Sequence, residues 1–233
     1  MRDLARDPRD PLDGDYRPIP HGPPRLPPDE ALDRSRAFRE LMSSRRTVRM
    51  FSADPVPVEL IENAVATAAT APSGAHAQPW TFVVISDADL KARIRAAAEE
   101  EERRSYARRM PDEWVRALRR LGTDDVKTHL TDAPYVIVVF EQAYYLAPDG
   151  YRRKHYYVAE SVGMACGLLL AALHAAGLAA LVHTPSPMRF LTDILGRPAN
   201  ERPYVVIPVG WPADDAVVPD LERKSLSAVM VRR

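Results

Sequence analysis

Three arginines that could bind an anion fall within five residues of this chain, at Arg45, Arg46 and Arg49, with Thr47 between them. Each guanidinium group presents parallel N–H donors, which match two oxygens of a phosphate group. Taken by itself, such a cluster is as often a patch of solvated surface charge as a phosphate-binding site. The segments that follow along the chain distinguish between these two interpretations.

A tight turn follows the arginine cluster after one amphipathic helix. Pro72 fixes one φ angle and Gly74 permits a positive one, so Ser73 and the backbone N–H groups can face an anion or the edge of a ring. Pro-Ser-Gly alone is more often just a turn. The cluster and the turn at this separation, with a strand beginning at Trp80, indicate two walls of a pocket for a phosphorylated, planar cofactor.

A polar segment contains a second set of reactive side chains. Glu102 and Tyr106 lie four residues apart, which places them on one face of a helix, and Lys127 follows 21 residues later. An acid, a phenol and an amine could bind a zwitterion, with Glu102 on its ammonium group and the other two on its carboxylate. Taken alone, Glu102 belongs to a run of four glutamates and is predicted to be a solvated surface residue.

Composition limits the function classes. The chain has 233 residues, with 32 basic and 32 acidic side chains, so its charge gives no case for nucleic acid or an anionic membrane as a partner. No signal peptide or membrane anchor is predicted, and the single cysteine, Cys166, fits a reducing cytoplasm. The six histidines are scattered, which predicts no metal site.

The hydrophobic pattern predicts an α/β protein. Eight prolines in residues 1–28 predict an N-terminal arm without regular structure, followed by one domain over 29–233. The pattern predicts helices over about 28–42, 58–69, 87–108, 114–121, 125–130, 155–176 and 187–195, and strands over about 80–86, 135–140, 178–183 and 204–209. Residues 144–153 are predicted to be a polar loop, and 99–130 a mobile lid over the active site. No Gly-x-Gly-x-x-Gly follows a strand, which argues against a dinucleotide-binding unit.

Two motifs resemble those of a known family. Arg-Arg-Thr-Val-Arg (45–49) and Ala-Pro-Ser-Gly-Ala-His-x-x-Pro-Trp-Thr-Phe-Val (71–83) are similar to motifs of the nitroreductase superfamily, and within it of the iodotyrosine deiodinase family. The resemblance extends from about Tyr16 to Val231. It implies the nitroreductase fold, in which helices flank a mixed central sheet. It also implies an intertwined homodimer with a swapped C-terminal segment and two FMN sites at the interface.

The resemblance also implies roles for individual residues. The FMN contacts would be Arg45, Arg46, Thr47, Arg49, Arg223, His183 and Thr184, with Ser73 and Gly74 contributed by the other subunit. A hydroxyl donor at flavin N5, here Thr184, favours one-electron steps over hydride transfer; from the sequence alone, Thr184 is only a residue at a strand end before proline. The amino-acid substrate would contact Glu102, Tyr106 and Lys127, and its phenolate oxygen the backbone N–H of Ala75.

The function that the resemblance implies is reductive dehalogenation of 3-halotyrosines, chiefly mono- and diiodotyrosine, to tyrosine and halide. FMN would deliver the electrons and be reduced again by a separate flavodoxin, ferredoxin or reductase. Two alternatives remain open at this point: a nitroreductase or quinone reductase of broad specificity, and a non-catalytic protein that binds flavin or an aromatic amino acid.

Overall fold

The computed structural model describes residues 16–147 and 150–233, so residues 1–15 of the predicted arm lie outside the described residues. Residues 16–27 form neither helix nor strand. The strands are β1 (Trp80–Ile85), β2 (Tyr135–Gln142), β3 (Tyr144–Leu146), β4 (Arg152–Lys154), β5 (Ala179–Ala180) and β6 (Glu201–Gly210). The helices are α1 (Pro28–Ser44), α2 (Val58–Ala68), α3 (Ala88–Arg104), α4 (Asp112–Arg119), α5 (His129–Asp132), α6 (Val158–Ala175), α7 (Arg189–Ile194) and α8 (Leu226–Val229).

The central sheet of the described chain has the strand order β1-β2-β6-β5. Its three strand pairs are antiparallel, and an isolated parallel bridge joins Thr47 to Ala180, which makes the sheet mixed. Because this bridge lies within the arginine cluster, the sheet edge positions the cluster. The α/β fold with a mixed sheet flanked by helices, as the sequence predicted, is confirmed.

Both faces of the sheet are covered, which explains why its central strands are almost wholly apolar. Ile137 and Val139 point into one core, which α2 and α6 cover. Val136, Val138 and Phe140 point into the other, together with residues of α3 and α7. Successive side chains of a strand face opposite sides of the sheet. In a strand that is buried on both faces, apolar residues therefore do not alternate with polar ones.

The long apolar helix α6 contributes Val162, Leu169 and Leu173 to the first core. By length and composition alone this helix could cross a membrane, but a third of it is buried inside the molecule. Cys166 also lies on α6, and burial raises the pKa of its thiol to about 11. The thiol is therefore protonated and unreactive at neutral pH. The cytoplasmic location of the protein, which its single cysteine suggested, stays a prediction.

Two apolar surfaces have no covering within the described chain. No residue of α1 is buried, and Phe38 on this helix is 58% exposed. The C-terminal segment is similar: Leu226, Val229 and Val231 are all exposed. Exposed apolar side chains on a helix and on the C-terminal tail of one chain are typical of surfaces that another subunit covers.

Three predicted segments were placed wrongly. Residues 144–153 are not a loop, because β3 and β4 form a hairpin there. The helix expected around 125–130 begins at His129, so Lys127 precedes it. Of the strand predicted over 178–183, only the two residues of β5 form a strand. His183 instead joins β6 through an isolated bridge to Val206.

Candidate active site

Glu102 lies at the end of α3, and the structure corrects its assignment to a solvated surface. It is only 8% exposed. Its Oε1 lies 3.1 Å from Nε2 of His183, and its Oε2 lies 3.9 Å from Nζ of Lys127. A carboxylate can be buried when charged or hydrogen-bonding partners surround it, as they do here.

Lys127 is also buried, on the segment that precedes α5. Its backbone N–H donates to Glu99 Oε1 at 2.9 Å, which attaches the segment to α3. Its Nζ lies 3.3 Å from Thr123 Oγ1 and also donates to the carbonyl of Asp124. Burial lowers the pKa of the amine, and the negative charge of Glu102 opposes this shift.

Tyr106 belongs to a π-helical turn, Ser105–Arg109, which continues α3. Its hydroxyl donates to the carbonyl of Thr123 at 3.3 Å. Burial raises the pKa of the phenol, and the charge of Glu102 raises it further. The phenol therefore stays protonated at neutral pH and acts as a hydrogen-bond donor.

These residues line one cavity of about 220 Å³, here called the Glu102 cavity. Thr184 is exposed and lies on its wall, as does the buried imidazole of His183. The full lining is Arg49, Glu102, Tyr106, Met110, Trp114, Leu118, Leu121, Thr123, Lys127, His129, Leu181, Val182, His183 and Thr184. The structure thus brings three of the four predicted substrate residues, Glu102, Tyr106 and Lys127, together with the residue expected near flavin N5.

A second cavity of about 300 Å³, the arginine cavity, adjoins it. Arg49 and Leu121 line both cavities, so the two lie side by side. The arginine cavity is lined by Arg45, Arg46, Thr47, Arg49, Leu121, Pro219, Leu221, Glu222 and Arg223. Five of the predicted FMN contacts, Arg45, Arg46, Thr47, Arg49 and Arg223, therefore line one cavity.

Arg223 reaches this cavity from the C-terminal segment. Its guanidinium donates to the carbonyl of Ser43 at 2.8 Å and to that of Arg45 at 2.6 Å, at the C-terminal end of α1. Helix C-termini attract cations in this way. Arg46 in turn donates to the carbonyl of Pro219. These bonds fix the segment around Pro219–Arg223 against the arginine cluster.

Arg49 stands between the two cavities, and its Nε is buried without a hydrogen-bond partner in the described chain. Burial lowers the pKa of its guanidinium, while Tyr106 opposes the shift. A buried donor without a partner costs about 1–3 kcal/mol. An acceptor atom of a bound anion or ring at this position would remove that cost.

The turn containing Ser73, Gly74 and Ala75 lies elsewhere. The N–H of Gly74 lies 3.4 Å from Ser161 Oγ at the start of α6, and Ala75 has a positive φ of 49°. None of the three residues is among those that line the two cavities. Within one chain, the predicted second wall of the cofactor site is separate from the arginine cluster.

The lid segment is attached to the loop that follows Thr184. Ser105 Oγ donates to the carbonyl of Ser186 at 3.2 Å, and Arg109 Nη1 lies 3.3 Å from the same oxygen. Arg109 also pairs with Glu101 at 2.8 Å. The mobility of the lid stays a prediction, but this loop is one of its contacts with the rest of the chain, beside the contact of Glu102 with His183.

Sequence reasoning missed two kinds of wall residue. His129 lies with its ring centroid 5.5 Å from that of His183, although 54 positions separate the two histidines. Trp114 and Leu118 on α4 supply an apolar wall, and Trp114 is still 53% exposed. A tryptophan on a short helix in which four of the eight residues are charged was the available signal for a ligand contact.

Comparison with known proteins supports the predicted family. The Nitroreductase family model matches residues 42–211. An iodotyrosine deiodinase of Haliscomenobacter hydrossis is 59% identical over 213 residues, covering 91% of this chain and 96% of that protein. One of Danio rerio is 51% identical over 216 residues, covering 91% and 72%. A crystal structure of oxidized iodotyrosine deiodinase bound to FMN and 3-iodo-L-tyrosine matches with a TM-score of 0.72 and 32% identity, over 84% of this chain and 97% of that one. The chain belongs to the nitroreductase family and, within it, to the iodotyrosine deiodinases.

Proposed function

We propose that this protein is an FMN-dependent enzyme that removes halide from 3-halotyrosines, chiefly mono- and diiodotyrosine. The reaction replaces a ring carbon–halogen bond with a carbon–hydrogen bond, consumes two electrons and one proton, and releases tyrosine and halide. One observation carries the proposal: a buried acid, a buried amine and a half-buried phenol line a cavity that adjoins the arginine cavity. A relative that is 59% identical carries the name of this activity.

The arginine cavity fits the phosphate of FMN. Arg45, Arg46, Arg49 and Arg223 surround it, and each guanidinium has five N–H donors, of which backbone carbonyls occupy only some. Arg49 lines both cavities, and its Nε is buried without a hydrogen-bond partner among the described residues. FMN bound there would supply the electrons of the reaction.

The Glu102 cavity fits the amino-acid end of the substrate. Glu102 would receive the ammonium group, while Tyr106 and Lys127 would donate to the carboxylate. These interactions strengthen away from water, and all three residues are at least half-buried. The Thr184 hydroxyl, on the same wall, would face flavin N5 and favour delivery of single electrons.

We further propose a homodimer in which the C-terminal segments are exchanged. Each FMN site would take its arginines and lid from one chain, and Ser73, Gly74 and the N–H of Ala75 from the other. The separation of the turn from the arginine cluster in one chain supports this arrangement, as do the exposed α1 and C-terminal tail.

Mixed dimers test this proposal. Arg49→Ala and Gly74→Ala should each lack activity alone. If they are refolded together, half of the dimers contain both variants and have one intact site, so about a quarter of the wild-type activity should return. A mixture that stays inactive although each variant folds would show that one chain supplies the whole site.

A separate flavodoxin, ferredoxin or reductase is proposed to reduce the FMN. The decisive experiment for the activity itself is an anaerobic titration of the dithionite-reduced holoenzyme with diiodotyrosine. Flavin absorbance should return as tyrosine and iodide form. Reoxidation by nitroaromatics or quinones but not by diiodotyrosine would favour the alternative of a broad-specificity reductase. Binding of flavin and diiodotyrosine without reoxidation would favour a non-catalytic binding protein.

A further inference from the structure

The imidazole of His183 is turned away from bulk solvent and towards Glu102. Both residues are 8% exposed, and Nε2 of His183 lies 3.1 Å from Oε1 of the Glu102 carboxylate. The two residues are 81 positions apart, so the contact is a product of the fold. The role that the resemblance implies for His183 is a flavin contact, which does not explain this pairing.

The location of the proton on the ring follows from the surroundings. An ionised carboxylate can only accept a hydrogen bond, so Nε2 carries the hydrogen and donates it. Nδ1 is buried and has no partner among the described residues. Burial lowers the pKa of His183, with the charges of Lys127 and Arg49 acting in the same direction and Glu102 opposing them. His183 is therefore a neutral donor, and the negative charge of Glu102 is not cancelled by it.

The backbone of His183 is held in the central sheet. The N–H of His183 donates to the carbonyl of Val206 at 2.8 Å, and its own carbonyl accepts from the N–H of Val206 at 2.9 Å. These bonds anchor it to β6, a central strand of the sheet. Glu102 lies at the end of α3, where the α-helix gives way to the π-helical turn. The hydrogen bond between the two side chains therefore ties the Glu102 carboxylate to a residue whose backbone is fixed in the sheet.

The second carboxylate oxygen is left available. Its nearest described cation is Lys127, whose Nζ is 3.9 Å away and is already bonded to Thr123 and Asp124. We infer that His183 is a positioning residue: by holding Oε1 it presents Oε2 to the ammonium group of an α-amino acid. The inference rests on the proposed function and identifies a residue that sets its preference for amino acids over simple phenols.

The test is equilibrium binding of 3-iodotyrosine and of 2-iodophenol to the oxidised, FMN-loaded protein. Flavin fluorescence reports the binding of each ligand. In His183→Gln the amide nitrogen can replace Nε2, whereas His183→Asn is too short and His183→Leu has no donor. Loss of a hydrogen bond to a charged group predicts about a tenfold or greater weakening of iodotyrosine binding in the Asn and Leu variants. The Gln variant should stay within about threefold of the wild type. Binding of 2-iodophenol should change little in all three.

A double substitution separates positioning from a general structural role. If His183 acts through Glu102, His183→Asn should cause no further loss of iodotyrosine affinity in a Glu102→Gln background. Equal weakening of both ligands, no rescue by Gln, or additive losses would overturn the inference. Should His183→Leu fail to fold, the comparison of Gln with Asn still decides. If the wild type itself does not prefer iodotyrosine, it is the proposed function that fails.

Discussion

A Cβ atom on Gly74 would lie 2.6 Å from the carbonyl oxygen of Tyr156, closer than such atoms approach in folded proteins. Gly74→Ala should therefore force the turn away from the start of α6 and lower the free energy of unfolding by about 1–3 kcal/mol. Urea denaturation of the FMN-free protein measures this. Gly22→Ala is the matched control because its Cβ would meet nothing within 4 Å, and equal stability of both variants would contradict the geometry.

Thr184→Ala should change the kind of chemistry rather than the affinity for FMN. Thr184 lies on the wall of the Glu102 cavity, and its hydroxyl is the proposed donor to flavin N5. The variant should slow deiodination of iodotyrosine while nitro-group reduction stays the same or improves. The ratio of the two rates, measured with the same reduced enzyme, is the readout. An unchanged ratio would remove Thr184 from the proposed mechanism.

Glu102→Gln should lose most of the preference for iodotyrosine over iodophenol. Its amide can no longer balance the charge of an ammonium group, and the ion pair with Lys127 is also lost. A hydrogen bond to a charged group contributes about 1.5–3 kcal/mol, so we expect iodotyrosine affinity to fall about tenfold or more. Titration calorimetry with both ligands checks this. Retained preference would show that Tyr106 and Lys127 suffice.

The lid should close on the amino-acid group of the substrate. Ordering a segment costs about 1–2 kcal/mol per residue, which binding must supply. Trypsin cleavage after Arg103, Arg104, Arg108 and Arg109 should therefore be suppressed by iodotyrosine but not by iodophenol. Protection by both ligands, or by neither, would show that the lid does not depend on the zwitterion.

Stability should fall as the pH falls below about 6.5, partly because of His129. Burial, followed by the positive charges nearby, lowers the pKa of His129 from 6.5 to about 3. A folded-state pKa below the unfolded one means that the unfolded chain takes up a proton first, so the stabilisation present above pH 6.5 is lost between there and pH 3. Between pH 7 and pH 5 this amounts to about 2 kcal/mol.

His129→Gln should therefore lose about 2 kcal/mol less unfolding free energy than the wild type between pH 7 and pH 5. Urea titrations of both proteins at the two pH values measure this. His183, Lys127 and Arg49 face the same space and remain in both proteins. An identical pH dependence in the variant and the wild type would show that His129 is not buried in its neutral form.

Many elements were predictable because their determinants are local. The helix over 58–69 was predicted to within one residue of α2, since apolar side chains recur at helical spacing after Pro57. The strand from Trp80 was equally clear. Failures occurred where the pattern was weak: residues 144–153 are polar, yet their tyrosines and arginines pair across a hairpin, as Arg152 does over Tyr144 at 5.0 Å.

By itself, the sequence determined the chemistry of the segments: a guanidinium cluster, a Pro-Ser-Gly turn, and an acid, a phenol and an amine in one polar stretch. The first two are contiguous or nearly so, the third falls within one segment, and the chemistry of these side chains does not depend on the rest of the chain. Only the tertiary structure decided that Glu102 is buried against His183, that Arg49 joins two cavities, and that Ser73 and Gly74 lie apart from the arginines. These are relations between residues far apart in the chain. They arise when the sheet and the helices on its two faces bury apolar surface, and no local pattern encodes the distances that result.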